Sequence, residues 1–217
     1  MAVALSLAAY GTADADRAPA SAPNAHTAAG NWNFERGDFT GWQTRSRGSG
    51  AWHVYADAAT PPDPADSDPI VPFKVPQPPE GTFAAVTDMS APGARILYRD
   101  VKLDGRVKLR FTLFYENHGS ELSSPASLEF DTCEPNQQFR VELVDPAAPV
   151  ASLAAKHILA RIFQTAPGDR NKLDPRTISF DLSRWAGQTV RIRFAQVDNR
   201  GPLRAGVDDL RLEEVQR

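Results

Sequence analysis

Strict alternation constrains this chain more than any other feature. In 107–115, Val107, Leu109, Phe111, Leu113 and Tyr115 fall on one face, and Lys108, Arg110 and Thr112 on the other. Phe139, Val141 and Leu143 alternate with Arg140 and Glu142. Ile178, Phe180 and Leu182 alternate with Thr177, Ser179 and Asp181, and Val190, Ile192 and Phe194 with Arg191 and Arg193. A period of two puts successive side chains on opposite sides of an extended backbone, so each stretch reads as a half-buried strand. Weaker strands are expected at 31–35, 42–47, 52–55, 82–88, 95–103, 157–164 and 205–213. Helical periodicity is nearly absent. A single turn is expected at 183–187, capped by Ser183 and stopped by Gly187. Many strands with one apolar face predict an all-β fold of two packed antiparallel sheets. The last two strands read as a hairpin across Asn199-Arg200-Gly201-Pro202.

Composition narrows the function classes. With 41% hydrophobic residues and 14 glycines in 217 residues, wholesale disorder is excluded. A net charge of -3 argues against a nucleic-acid partner held by a large positive surplus. No apolar run reaches the roughly 18 residues of a membrane span. One cysteine, Cys133, excludes an intrachain disulfide framework and a Cys-rich zinc site. Residues 1–30 differ from the remainder. An apolar stretch from Val3 to Tyr10, then Ala13-Asp14-Ala15, has the shape of a secretory signal without a basic start, and a polar linker follows from Asp16. Export to the medium or the cell surface is therefore expected, with 31–217 forming one sandwich. Two insertions interrupt it: 57–81, with eight prolines between Pro61 and Pro79, and 119–136, which holds Cys133.

The order of motifs then matters. The chain opens NWNFERGDFTGW at 31–42, continues through GARILYRDVKL at 93–103 and NQQFRVELVDP at 136–146, and closes with AGVDDLRLE at 205–213. This resembles the galactose-binding-like jelly rolls, which include carbohydrate-binding modules of bacterial secreted enzymes and MAM-type adhesion domains. A family start of the form N-x-x-F-E-x-G-x-x-x-G-W is matched by Asn31, Phe34, Glu35, Gly37, Gly41 and Trp42. A closing V-D-D-hydrophobic strand is matched by Val207, Asp208, Asp209 and Leu210. Bacterial surface or secreted proteins with an NQQ…RF…VDN…GVDD pattern are the nearest in kind.

The resemblance implies a buried structural Ca²⁺ held by Glu35 and Asp208, with Asp38, Asp57, Asp88 and Asp209 as possible further ligands. Asp208 shares strand parity with Leu210 and Leu212, so it is expected to lean toward the core. A buried carboxylate without a partner is costly, and a hard cation relieves it. The competing reading is that Asp208 caps a turn or pairs with an arginine.

For a sugar ligand, the candidate aromatics are Trp32, Trp52, Tyr55, Tyr98, Phe114 and Tyr115, because an aromatic face packs on the C–H face of a sugar ring. Most are equally good core residues. Arg110, Arg140, Arg191 and Arg193 lie on the non-core parity. They form either an anion-binding patch or a solvated cross-strand charge ladder. A polar rim of Asp88, Asn117, Gln138, Asp198 and Asn199 is a further candidate. No G-x-S-x-G elbow, P-loop or H-E-x-x-H occurs, and only a Cys133 pairing with His118 or His157 would suggest a nucleophile. The expected function is a secreted, non-catalytic module binding carbohydrate or another cell-surface ligand. The alternatives are an adhesive protein with protein partners and, more remotely, a polysaccharide-acting enzyme.

Overall fold

The structure, a computed structural model, describes residues 30–57, 75–88 and 92–215. The expected signal and linker at 1–29 and most of the proline-rich insertion, 58–74, lie outside the described residues. The strands are β1 (Gln43–Gly48), β2 (Trp52–Ala56), β3 (Phe83–Thr87), β4 (Gly93–Lys102), β5 (Val107–Asn117), β6 (Gln138–Val144), β7 (Ile158–Gln164), β8 (Lys172–Asp181), β9 (Thr189–Asp198) and β10 (Leu203–Glu214). They form two antiparallel five-stranded sheets, β1-β4-β9-β6-β7 (the first sheet) and β2-β3-β10-β5-β8 (the second). The all-β sandwich read from the alternation is the observed fold.

The alternating residues meet between the sheets. Val107, Leu109, Phe111, Leu113 and Tyr115 pack with Phe139, Val141, Leu143, Val190, Ile192 and Phe194 in one core. Phe111 of the second sheet meets Phe194 of the first edge-on, with ring centroids 5.6 Å apart. Both sheets also bury apolar residues on their outer faces. Tyr55, Val75, Ala84, Val86 and Phe114 form a cluster outside the second sheet. Ala94, Ile96, Leu128, Ala195 and Val197 form another outside the first, beneath Phe130, Val150, Ala151 and Leu153. Irregular chain therefore roofs both outer faces, and outward parity does not mean exposure.

Three local expectations fail. Residues 31–35 are turns rather than a strand, with Asn31 (φ 43°) and Phe34 (φ 63°) in left-handed backbone. The Asn31 side chain stabilises the turn by accepting the Arg36 N–H and donating to the Asp38 carbonyl. Trp32, Phe34 and Trp42 then close one end of the core, with Arg99 stacked 4.2 Å from the Trp32 ring. Second, β9 and β10 are no hairpin: the turn at 199–202 carries the chain from one sheet to the other. The Asp198 carboxylate holds that crossing by accepting the Gly93 and Leu203 N–H groups. Third, a 3₁₀ turn does form at Ser183–Trp185, but Ser183 does not cap it; Asp181 Oδ1 accepts the Ser183 N–H.

Candidate functional site

Asp208 owes its position to a β-bulge. Val207 stands opposite Leu113 and Asp208 opposite Thr112, but the next matched pair is Arg211 with Arg110. Asp209 and Leu210 thus share Phe111, with Asp209 at φ 53°. Two residues against one inverts the parity. Asp208 therefore points to the outer face of the second sheet, not to the core as the spacing to Leu210 suggested. It is wholly buried there (0% exposed), with the backbone of Glu80 against it. Its Oδ2 accepts the Glu80 N–H at 2.7 Å, and its Oδ1 has no hydrogen-bond partner among the described residues.

Glu35 reaches the same short segment. Its carboxylate accepts the Thr82 N–H at 3.0 Å and the Phe83 N–H at 3.1 Å. Gly81 sits against it at φ 62°, where a Cβ would lie 2.4 Å from the carboxyl carbon. The first and last strands lie in different sheets, so it is the turn at 80–83 that brings Glu35 and Asp208 into one neighbourhood, together with Glu80. None of these three carboxylates has an ion-pair partner among the described residues. Burial pushes the Asp208 carboxyl up to about 7; the backbone N–H groups of Asp209 and Glu80 oppose the rise, and the charges of Glu80 and Glu35 add to it. The donor chemistry suits a hard cation. No preformed group of three or more His, Cys, Asp or Glu side chains able to hold a metal occurs among the described residues. Of the further candidates, Asp38 accepts from Asn31 and Thr40, Asp88 pairs with Arg95, and Asp209 pairs with Arg110 and Arg211.

The expected arginine patch is corrected in two ways. Arg110 belongs to the second sheet, whereas Arg140, Arg191 and Arg193 belong to the first. Those three lie on the outer face of that sheet but are buried there rather than solvated. Arg140 donates to Glu142 Oε1 from Nε and from Nη2 (2.7 Å), and Arg193 Nη2 donates to Glu142 Oε2. Carbonyls of Val150 and Ser152 take Arg193 Nη1, and those of Ala148 and Pro146 take Arg191, which also grips Asp100. The 146–152 loop thus lays its carbonyls over the guanidinium groups.

Trp52 is a core residue at 3% exposure, and the Tyr55 hydroxyl is tied to the Pro76 carbonyl. Tyr98 is half-buried on the outer face of the first sheet, bonded to Gln43 and stacked on Arg191. The polar rim divides. Asp88 and Asp198 both bind Arg95, clamping the sheets together, while Asn117 bonds Gln137, and Gln138 and Asn199 bond Asn136. Cys133 is exposed; His118 pairs with Glu116 and His157 with Ser152, so no Cys–His pair forms.

A pocket was not anticipated. Leu113 pairs with Arg176 and Tyr115 with Leu173, leaving Asp174 and Pro175 opposite Phe114 alone. Proline lacks the N–H that a ladder needs, and the edge position of β8 tolerates it. Beside this bulge lies a cavity of about 260 Å³ with Val75, Pro76, Phe114 and Pro175 as apolar walls and Glu116, Lys172, Asp174 and Arg204 as polar groups. Only Phe114 and Tyr115 were legible as candidates, from their aromatic side chains. Lys172, Asp174 and Arg204 gave no signal, because the bulge that gathers them has no periodicity.

No protein-family model and no curated protein matches the chain. Solved structures do. The K3 cleaved adhesin domain of Lys-gingipain from Porphyromonas gingivalis is 12% identical over 84% of this chain and 97% of that one, with a TM-score of 0.49. TmCBM61 in complex with β-1,4-galactotriose is 16% identical over 85% and 96%, with a TM-score of 0.43. The Stig cyclase Fisc from Fischerella sp. TAU is 18% identical over 86% and 96%, with a TM-score of 0.42. A sandwich of this kind hosts many functions, and the ligand follows from side chains rather than from the course of the chain. Among the described residues, no helix is long and apolar enough to cross a membrane.

Proposed function

We propose that this chain is an exported, non-catalytic module that binds carbohydrate on the outer face of the second sheet. The pocket beside Phe114 carries this reading. A sugar ring offers apolar C–H faces and a girdle of hydroxyls. The pocket offers Val75, Pro76, Phe114 and Pro175 to the first, and Glu116, Lys172, Asp174 and Arg204 to the second. Its volume of about 260 Å³ suits a single ring at a time. Export rests on the apolar stretch and the Ala13–Ala15 pattern within residues 1–30.

The same face would be braced by a structural Ca²⁺. The partnerless Asp208 Oδ1 supports it, with Glu35 and Glu80 close by. Asp208 and Glu35 would hold the ion, and backbone carbonyls and water would complete its six to eight oxygens. The ion would supply charge neutralisation, not chemistry. Thermal melts in Ca²⁺ and in chelator should then differ, and coincident curves remove the ion.

The binding reading is tested by a panel of neutral oligosaccharides titrated into the full chain by calorimetry. At least one should bind, and Lys172→Ala and Asp174→Ala should each weaken it about tenfold, the loss of roughly one charge-assisted hydrogen bond. Lys172 and Asp174 are exposed, so neither change threatens the fold. Failure of every glycan would discard the reading in favour of an adhesive surface, and turnover of a polysaccharide would discard "non-catalytic".

A further inference from the structure

The first sheet carries a second concavity, on the opposite side of the molecule from the Phe114 pocket. It is an open groove of about 490 Å³ along edge strand β7, walled by Ser124, Ala126, Arg140, Arg161, Gln164 and Thr165. Beneath it lies an unbalanced charge. Glu142 is wholly buried between two guanidinium groups, Arg140 (2% exposed) and Arg193 (0%). Arg191 does not share this carboxylate, because it has Asp100. Carbonyls hydrogen-bond the two arginines, but they neutralise neither. One negative charge against two positive ones leaves a net positive charge under the 146–152 loop, and buried charge seeks a counter-charge.

The groove is where that counter-charge can bind. Of the five N–H groups of Arg140, one from Nε and one from Nη2 go to Glu142, and two from Nη1 go to Gln138 and to the Pro125 carbonyl. The remaining N–H of Nη2 has no acceptor among the described residues. Arg161 stands opposite Glu142 in the β6–β7 ladder, so it shares the outer face with Arg140. It is exposed, and it has neither a hydrogen bond nor an ion pair among the described residues. Gln164, opposite Arg140, likewise has an uncommitted side-chain amide.

We infer that this groove is an anion site that takes the carboxylate of an acidic sugar residue, a uronate within a glycan chain. The planar fork of Arg161 matches a carboxylate in bidentate fashion, and Arg140 adds a donor from below. The Gln164 amide and the Ser124 hydroxyl are left for the ring hydroxyls. The sugar part of this assignment rests on the carbohydrate reading above; the recognition of an oxyanion rests on the arginines alone.

Three probes are titrated into the full chain, with amide chemical shifts as the readout: trigalacturonate, neutral galactotriose and a sulfated disaccharide. Trigalacturonate should shift amides of β7 and 124–126, with affinity falling as salt rises. Arg161→Gln should lower that affinity about tenfold while leaving the melting temperature unchanged, and Arg161→Lys should recover part of it. Equal binding of trigalacturonate by wild type and Arg161→Gln overturns the site. Galactotriose shifting the same amides as strongly overturns the anion requirement, and tighter binding of the sulfated probe overturns the carboxylate assignment. Arg161→Gln should not affect neutral glycans bound beside Phe114, and Lys172→Ala should not affect trigalacturonate at β7, so either reading can fail without the other.

Discussion

Replacing Asp208 by Asn should stabilise the cation-free protein. The carboxyl is fully buried, and its folded-state pKa is raised from 3.8 to about 7. A raised carboxyl pKa means that the folded state holds a proton that the unfolded state gives up. Stability is then lost as pH climbs from about 4 to about 7, and stays low above that. A shift of about 3 units at about 1.36 kcal/mol each amounts to about 4 kcal/mol at pH 8. Integrated to pH 4, the same linkage leaves only about 0.5 kcal/mol. Asn keeps the acceptor for the Glu80 N–H and removes the ionisation. For a chain of this length, about 2–4 °C of melting temperature corresponds to each kcal/mol, so a gain on the order of 8–16 °C is expected at pH 8 in chelator, and almost none at pH 4. Circular dichroism melts at the two pH values read it directly. An Asn variant that melts below wild type at pH 8, or a gap that does not change with pH, would refute the claim that ionised Asp208 is an uncompensated buried charge. Added Ca²⁺ should raise wild type and leave the variant where it is.

Two further changes probe the roofed faces. Glu142→Gln strands Arg140 and Arg193 without their shared carboxylate, and urea denaturation should show a loss of about 3–5 kcal/mol. Gly206→Ala drives a Cβ to 2.0 Å from the Phe114 ring, which must swing toward the pocket beside it. About 1–3 kcal/mol should be lost, together with binding of neutral glycan, and retained affinity would show that Phe114 is no part of that site.

The alternation in 107–115, 139–143 and 190–194 was enough to place the core, because a two-residue period and a buried face leave a strand one register. The same rule misled at Asp208. Counting by twos assumes an unbroken ladder, and the bulge at Asp209 uses up a residue. The Asp-Asp doublet was the available signal, since aspartate tolerates left-handed backbone better than most residues. For Arg140, Arg191 and Arg193, parity told which face they occupy but not what covers it. Their cover is irregular chain at 125–130 and 146–152 that binds through backbone carbonyls, and any side chain can present a carbonyl. The crossing at 199–202 failed for a related reason. A turn composition announces a change of direction, and the sheet that receives the next strand is decided by distant partners. Glu35 and Asp208 both bind backbone N–H groups of 80–83, where the proline-rich insertion runs into β3, and no spacing in the sequence announces that meeting.

The two latest strands of the sandwich occupy the middle of the two sheets: β9 lies between β4 and β6, and β10 between β3 and β5. Until residues near 200 are available, the earlier strands can pair only as fragments at the flanks, with every interior edge open. Assembly must therefore come late and nearly all at once, through contacts between residues far apart in sequence, which makes for slow folding. Without the residues after 202, β2-β3 and β5-β8 would stay separate ribbons, because β10 is the strand that joins them.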